Sequence, residues 1–254
     1  FKSNLFSFNS NTTCQTCHLD NRSSADGLPN AVGVGGHGEG MERINSDGKI
    51  VPRNTLPLWG RGGKDFNAFF WDGKVAKIYQ NIISQMGEDL PTNDMLNIAV
   101  HLPFVEIREM IEDSQEDSKT FKNESVNASR QLQNILLERV KNDKEFSKLF
   151  SNAYNIQIKD LKFIHITDSV VHHIRNKFRL RETKLSKFFE GHSNLTNDEI
   201  KGGIIFFGKG KCANCHYGPH FSDFKYHRIV TPLIGFGKNG YGIDYGRFNV
   251  TLDY

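Results

Sequence analysis

The chain has 254 residues, of which 37% are apolar and 24% are charged, a composition typical of a soluble globular protein rather than a disordered one. Its net charge of +3, with both signs interspersed, gives no reason to expect a nucleic acid or an anionic membrane as a partner. The longest strongly apolar run, residues 204–207, is too short to span a membrane.

The first segment with evident chemistry lies near the N-terminus, where Cys14, Cys17 and His18 form the pattern C-x-x-C-H in polar loop sequence. A glycine-rich stretch follows at residues 33–40. Its glycines permit backbone conformations that other residues avoid, and they allow close approach to a flat ligand. Because no strand or helix pattern brackets them, they are not expected to form a phosphate-binding loop.

The middle of the chain predicts a series of helices. Thr92 or Asn93 can cap the first, which ends before Pro103. Residues 112–129 are polar and predict a surface excursion. Two helices with apolar residues at helical spacing follow, and then a third over residues 168–178 or longer. The apolar positions of the four helices are Met95, Leu96, Ile98 and Ala99, then Leu132, Ile135, Leu136 and Val140, then Phe146, Leu149 and Phe150, and finally Val170, Ile174 and Phe178.

The last predicted helix leads into a second C-x-x-C-H pattern. Thr196 and Glu199 form a capping box that opens a helix through residues 200–207. Gly208 and Gly210 end this helix and present the second pattern in the following turn. Its members are Cys212, Cys215 and His216.

All four cysteines of the chain lie in these two patterns. Two thiols at this spacing can add to the vinyl groups of haem, and the adjacent histidine becomes the iron ligand. A zinc site made of two C-x-x-C pairs normally has them about 15 to 20 residues apart, whereas here they stand near opposite ends of the chain. A thioredoxin-type pair would not explain a histidine after both. The even number of cysteines does not exclude disulfides, but a disulfide that closes so short a loop stabilises a chain of this size only weakly. The patterns therefore predict two covalently bound c-type haems.

We therefore expect a mainly α fold with two cytochrome-c-like haem domains, long ordered loops and few strands. The N-terminal haem domain is expected to cover residues 1–153 and the C-terminal one residues 154–254, incomplete at its C-terminal end. Because covalent haem attachment in bacteria takes place outside the inner membrane, we expect a periplasmic protein whose signal sequence has been removed.

Further segments recur in a fixed order along the chain. They are Leu5-Phe6 before the first haem pattern, R-N-T-L-P-L-W at residues 53–59, F-W-D-G-K at 70–74, R-E-M at 108–110, residues 195–223 around the second haem pattern, and D-Y-G-R-F-N-V-T at 244–251. This ordered set resembles the bacterial di-haem cytochrome c peroxidase family, which includes the MauG-type enzymes. Each segment alone is weak, but together with two haem patterns the set is specific.

The resemblance implies a division of labour between the two haems. The haem bound through His18 would be the low-potential site where peroxide reacts, and the haem bound through His216 would accept and store electrons. Trp71 matches the tryptophan that mediates transfer between the haems, although a tryptophan in an apolar run is also a common core residue. Glu109 matches the distal glutamate, whose carboxylate can move the proton that O–O cleavage requires. The alternative for Glu109 is an exposed charge at a helix end.

Two further residues receive a role from the resemblance. His37 resembles a removable distal ligand of the first haem iron, and its glycine neighbours suit a loop that moves. The alternative is a surface-loop histidine. Asn54 matches a ligand of a calcium ion between the domains, or is simply a turn asparagine. Calcium takes about six to eight oxygen ligands, and the others are expected beyond Tyr254.

The remaining histidines and Met110 carry weaker expectations. Met110 is expected to pack rather than to bind iron. His220 and His227 can form hydrogen bonds to a haem propionate. The others are expected on the surface or as satisfied core residues, and they are His101, His165, His172, His173 and His192.

Three functions remain open at this point. The leading one is a peroxidase that reduces hydrogen peroxide to water with electrons from a small periplasmic cytochrome c or copper protein. A homodimer is the expected assembly of such a peroxidase. The second is a MauG-like enzyme that oxidises aromatic residues of a partner protein. The third is a di-haem electron-transfer cytochrome without catalysis. The distal ligand of the second haem, which separates the first two, is expected beyond Tyr254.

Overall fold

The computed structural model describes residues 1–51, 53–63, 66–112, 126–227 and 246–251. Within these ranges helices predominate and the strands form one small sheet, which confirms the expected mainly α fold with few strands. Among the helices of the described ranges, none has both the length and the apolar character needed to cross a membrane.

The helices and strands have the following bounds in chain order. The helices are α1 (Cys14–Cys17), α2 (Met41–Ile44), α3 (Met95–His101), α4 (Val126–Asn142), α5 (Lys144–Tyr154), α6 (Phe163–Lys177), α7 (Lys184–Phe189), α8 (Asn197–Phe207) and α9 (Phe248–Thr251). The strands are β1 (Ala68–Phe69), β2 (Val75–Ile78) and β3 (Asn81–Ser84). They form an antiparallel sheet in the order β1-β2-β3, in which Ala76 pairs with both Ala68 and Ile83.

The chain divides into two compact units. The first contains residues 1–178 together with the described C-terminal residues, and the second contains the described residues 179–227. The division that the sequence suggested, after residue 153, concerns the extent of two haem domains and stays a prediction.

The N-terminal cap of α3 differs from the prediction. Asp94 caps this helix, because its side chain accepts a hydrogen bond from Leu96 N at 3.1 Å. Thr92 acts one step earlier, with its hydroxyl accepting a hydrogen bond from Asp94 N at 3.2 Å. An aspartate at this position satisfies an amide that has no partner within the helix. The predicted end of the helix before Pro103 is confirmed.

The predicted helices α4, α5 and α6 are present, with bounds that extend the predictions. α4 begins at Val126, so the predicted excursion at residues 112–129 is wrong for its last four positions. Its residues 113–125 lie outside the described residues. α5 is capped by Asp143, which accepts hydrogen bonds from two backbone amides. α6 begins at Phe163, before the predicted start at residue 168.

The core of the first unit forms where α3, α4 and α6 pack together. A buried polar contact joins two of these helices, since Thr167 Oγ1 donates a hydrogen bond to Asn97 Oδ1 at 2.9 Å. Such a satisfied pair fixes the register of two helices without leaving an unpaired polar group. The apolar side chains of this core include Leu96, Ile98, Leu132, Leu136, Val140, Ile166, Val170, Ile174 and Phe178.

The second unit contains α7, α8 and the second C-x-x-C-H loop. The predicted capping box of α8 is confirmed, because Thr196 Oγ1 accepts from Glu199 N while the Glu199 carboxylate accepts from Thr196 N. The helix ends at Phe207 with Gly208 as its C-cap, as predicted. Several large apolar side chains of this unit are exposed, namely Phe189, Ile200, Ile204, Ile205, Phe207, Tyr217 and Phe221.

Candidate haem sites

The first C-x-x-C-H loop forms a single helical turn, α1. Thr13 caps this turn and His18 closes it, with its backbone amide donating to the Cys14 carbonyl at 3.0 Å. The imidazole Nδ1 of His18 lies 2.9 Å from the Ser24 carbonyl oxygen. A carbonyl oxygen can only accept, so Nδ1 carries the proton and Nε2 keeps its lone pair. This is the tautomer that a histidine needs to bind iron through Nε2.

The second loop holds its histidine in the same way. Its turn is a short 3-10 helix, Cys212–Asn214, and the His216 amide donates to the Cys212 carbonyl at 2.9 Å. The Nδ1 of His216 lies 2.9 Å from the carbonyl oxygen of Phe221. Each loop therefore fixes its own imidazole through a carbonyl five or six residues downstream.

A cavity of about 480 Å³ adjoins the first loop. Cys14, Cys17 and His18 line it, and so does Glu109. The rest of the lining is largely apolar, with a cluster of charged residues. The apolar members include Leu58, Phe69, Leu96, Val100, Phe104, Val170 and Ile174, and the charged members include Arg53, Asp72, Lys74, Glu106 and Arg108. Apolar walls with a few charged groups fit a large flat macrocycle that carries two carboxylates.

Burial shifts the pKa values of the three residues of the first loop that would hold a haem. Burial raises the pKa of the Cys17 thiol to about 12, and it also raises the pKa of Cys14. Arg43 opposes the rise at Cys17 but does not outweigh it. Burial lowers the pKa of His18, against the hydrogen bond to Ser24. His18 is therefore held as the neutral imidazole that binds metal ions.

Comparison with known proteins gives a family for this arrangement. A sequence model of the family described as "Di-haem cytochrome c peroxidase" matches residues 1–194. The chain belongs to the di-haem cytochrome c peroxidase family. Membership confirms the resemblance found in the sequence and implies haem cofactors.

The chain is also similar to one curated protein and to one solved structure. The chain is 25% identical over 222 residues to the methylamine utilization protein MauG of Methylorubrum extorquens, covering 85% of this chain and 47% of that protein. The chain also matches the crystal structure of a MauG-like protein associated with microbial copper homeostasis, with a TM-score of 0.61 and 18% identity. The match covers 100% of this chain and 63% of that structure's chain. The second match shows a shared fold. The chain thus spans about half of the curated relative and less than two thirds of the solved one.

Glu109 is placed by an unusually close contact between two backbone segments. It is half-buried in a turn beside Arg108, whose φ is +74°. Val34 N donates to the carbonyl of Arg108 at 3.0 Å. A Cβ on Gly33 would lie 1.8 Å from that same carbonyl oxygen, so only glycine permits this approach. The glycine-rich stretch thus serves to seat the segment that carries Glu109.

Trp71 lines the same cavity and remains 45% exposed. Its indole nitrogen donates a hydrogen bond to the backbone carbonyl of Asn54 at 3.0 Å. The guanidinium carbon of Arg61 lies 5.9 Å from the centre of its ring. Asn54 is itself exposed. The relay role of Trp71 and the calcium role of Asn54 stay predictions.

His37 is exposed and does not line the cavity. Its backbone amide lies 3.4 Å from the hydroxyl of Ser46, which accepts a hydrogen bond from it. The structure therefore does not bring His37 together with His18 and Glu109, and its role as a removable ligand stays a prediction.

The other expected residues take ordinary positions. Met110 is buried, as expected of a packing residue. His101 is also buried, and its Nδ1 lies 2.8 Å from the carbonyl of Asn97. His227 Nε2 lies 2.6 Å from Asp223 Oδ2, close to Cys215. Its contact with a propionate stays a prediction.

Sequence reasoning missed a buried charge cluster in the cavity wall. Lys74 forms an ion pair with Glu106, and Arg53 forms one with Asp72 at 3.1 Å. The available signal was a charged residue inside an apolar stretch, since Glu106 follows Pro103–Val105 and precedes Ile107. Isolated charges in such stretches are buried only when they are paired.

A second missed residue is Arg43, which is fully buried on α2. Its Nε and Nη2 donate to the carbonyl of Val32 at 2.8 and 2.6 Å, and Nη2 also lies 3.2 Å from the carbonyl of Gly33. The guanidinium therefore holds the start of the glycine-rich stretch in place through these hydrogen bonds.

Proposed function

We propose that this chain forms the haem-binding part of a periplasmic peroxidase, which reduces hydrogen peroxide to water with electrons from a small cytochrome c or copper protein. The observation that carries the proposal is the shared cavity. It combines a histidine in the iron-binding tautomer, His18, with a carboxylate that can exchange protons, Glu109. An electron carrier needs the first of these and has no use for the second.

Two haems would be held by the two loops. Cys14 and Cys17 would form the thioether links of the first and His18 its iron bond, with Cys212, Cys215 and His216 in the same roles for the second. When bound, the haem iron supplies the oxidising and reducing chemistry, which belongs to the cofactor. The exposed apolar side chains around α8 would offer the second macrocycle a surface to pack against.

Glu109 would handle protons in the first cavity. Reduction of one hydrogen peroxide to two waters consumes two electrons and two protons. Cleavage of the O–O bond needs a proton moved from the inner oxygen to the outer one, and a half-buried carboxylate can accept it and return it. Since the segment of Glu109 is seated against Gly33, its position is fixed by backbone contacts.

The electrons would reach this cavity through Trp71. An aromatic ring that lines the cavity and remains partly exposed is a suitable intermediate. His37 would cap the first iron in the resting protein and leave it on reduction, and Asn54 would contribute to a calcium site. A homodimer belongs to the same proposal.

A MauG-like activity on a protein substrate is the second candidate. The observation that favours it is the match to MauG, at 25% identity over 85% of this chain. In that case the same cavity would oxidise aromatic residues of a partner protein instead of turning over with a small electron donor.

The test is hydrogen peroxide consumption by the half-reduced holoprotein, supplied with a reduced small cytochrome c. Turnover is expected, and Glu109→Gln should lower it by about 10²- to 10⁴-fold while both haem spectra persist. Glu138→Gln, on the exposed side of α4, is the matched control and should change nothing. Unchanged turnover in Glu109→Gln would remove Glu109 from the reaction. A wild-type protein with two intact haem spectra and no turnover would favour the MauG-like or the electron-transfer function.

A further inference from the structure

A buried ion pair in the cavity wall is not used by the reaction described above. Lys74 Nζ contacts Glu106 Oε1, and the two residues are only 5% and 7% exposed. Lys74 lies just before β2, and Glu106 caps the short 3-10 helix Pro103–Val105. Charges this deeply buried are costly, and breaking such a pair is costlier than forming it. Each residue of the pair therefore depends on the other as its partner.

The ammonium group of Lys74 interacts with more than one carboxylate. Burial acts to lower the pKa of Lys74, but the negative charges of Glu106, Glu109 and Asp72 outweigh it and raise that pKa. The Phe70 ring, whose centre lies 4.6 Å from Nζ, adds a further favourable contact for a cation. Lys74 thus remains a cation at any pH where the protein would work.

The three carboxylates differ in how directly they interact with this ammonium group. Glu106 is in direct contact with it, whereas Glu109 acts on it through its charge across the cavity that both residues line. Asp72 is already paired with Arg53 at 3.1 Å, and its backbone carbonyl accepts from Arg247 at 3.3 Å. Lys74 therefore contacts Glu106 directly and lines the same cavity as Glu109.

We propose that Glu106 sets the proton affinity of Glu109 by holding the ammonium of Lys74, so that this cation compensates the charge of Glu109 only in part. Glu106 and Lys74 are positioning residues in this proposal, which rests on the proposed proton-handling role of Glu109. A carboxylate paired fully with an ammonium is a weak base, whereas one next to a second carboxylate is a strong base that protonates too readily. The pair keeps Glu109 between these limits.

The proposal predicts shifts of opposite sign for two substitutions. In Glu106→Gln the ammonium of Lys74 no longer has the Glu106 carboxylate as its partner and is left to interact with Glu109. This favours the carboxylate form of Glu109, which should therefore protonate at lower pH. In Lys74→Met two carboxylates share one cavity without the ammonium, so Glu109 should protonate at higher pH. A nearby charge typically moves such a midpoint by about one to three pH units.

The other charged groups around the cavity are the same in both variants. They are Asp72 with Arg53 and Arg247 beside it, Arg108 next to Glu109, and, near the first haem loop, Arg43, Arg61, Asp26, His18, the Cys17 thiol and the N-terminus at Phe1. Their contribution is common to the parent and the variants, so it cannot produce shifts of opposite sign.

The experiment measures the protonation of Glu109 by two methods on the haem-loaded protein. The first is the infrared carboxylic-acid band as a function of pH, assigned to Glu109 by its loss in Glu109→Gln. The second is the pH profile of peroxide turnover, whose acidic limb falls as Glu109 becomes protonated. Both midpoints should move down by about one unit or more in Glu106→Gln and up by a similar amount in Lys74→Met. Lys74→Arg keeps the cation and should restore the parent midpoint.

Matched controls come from an exposed pair of the same residue types. Glu138 and Lys141 lie 2.9 Å apart on α4, outside the cavity, and Glu138→Gln and Lys141→Met should leave both midpoints unchanged. If Lys74→Met fails to fold, a downward shift in Glu106→Gln together with the parent midpoint in Lys74→Arg still tests the proposal, and an unchanged midpoint in Glu106→Gln overturns it.

Shifts in the same direction for the two variants, or midpoints equal to the parent, would overturn the proposal and leave the pair a merely structural one. The infrared titration needs no turnover. A protein that lacks peroxidase activity but shows the opposed infrared shifts would therefore refute the proposed function and retain the coupling.

Discussion

Replacing Gly33 by alanine is expected to disturb both the stability of the first unit and the position of Glu109. The added Cβ would lie 1.8 Å from the carbonyl oxygen of Arg108, 2.8 Å from its carbonyl carbon and 3.0 Å from Glu109 Cα. All three atoms belong to the backbone, so no side-chain rotation relieves the clash. The segment of Glu109 must retreat by roughly 1.5 Å before ordinary contact is restored.

The size of the effect follows from the contacts that are lost. Overpacking of this kind costs about 1 to 3 kcal/mol. Weakening the hydrogen bond from Val34 N to the Arg108 carbonyl adds about 1 kcal/mol. For a chain of this size, the resulting loss of about 2 to 4 kcal/mol lowers the melting temperature by roughly 4 to 16 °C. Because a displacement of about 1 Å at a reacting group can cost 10²-fold in rate, peroxide turnover should fall by about that factor.

The assay is thermal unfolding of the holoprotein followed by circular dichroism, with peroxide consumption measured on the same samples. Gly202→Ala is the matched control. This glycine lies inside α8 with open space where its Cβ would stand, so alanine should stabilise the helix by about 0.5 to 1 kcal/mol. If Gly33→Ala melts with the parent protein and keeps its turnover, the close backbone contact does not seat Glu109 and the reasoning is wrong.

Three further predictions test other parts of the structure. Arg43→Met leaves the buried carbonyls of Val32 and Gly33 without their donors and should lower the free energy of unfolding in urea by about 2 to 5 kcal/mol, with partial recovery in Arg43→Lys; an unchanged midpoint would contradict it. The hydrogen bond from Lys184 lowers the pKa of Glu199 to about 2, so its stabilisation is present at neutral pH and is lost as pH falls from about 4.5 to about 2. Glu199→Gln should therefore show a flatter melting temperature over that pH range, and parallel curves would argue against it. A calcium chelator should lower the melting temperature of the parent protein but not of Asn54→Ala, because only a bound ion stabilises the native state by mass action; equal shifts would place any calcium elsewhere.

Structural features that depend on residues close together in the sequence, such as helix caps and tight turns, were predictable. The capping box of α8 depends on residues three positions apart, and its helix begins and ends where expected. The two C-x-x-C-H patterns likewise predicted local turns that present a histidine. The cap of α3 was misplaced because Thr92, Asn93 and Asp94 are all good capping residues, and only the structure distinguishes them.

Contacts between distant parts of the chain left little trace in the sequence. Lys74 and Glu106 are 32 positions apart, and no periodicity connects a lysine after a glycine with a glutamate after a 3-10 turn. The sequence also did not indicate why residue 33 must be glycine. A glycine-rich stretch indicates freedom of the backbone, but its use here is to admit the carbonyl of Arg108. The charge cluster around Glu109 therefore required the three-dimensional arrangement.

The two histidine loops have a consequence for the order in which the protein is made. The hydrogen bonds that hold the two imidazoles join residues close in sequence, His18 to Ser24 and His216 to Phe221. Loops this short close in about 10 to 100 ns, far faster than a domain folds. Each loop can thus take its shape on an otherwise unfolded chain and present its thiols before the surrounding core exists.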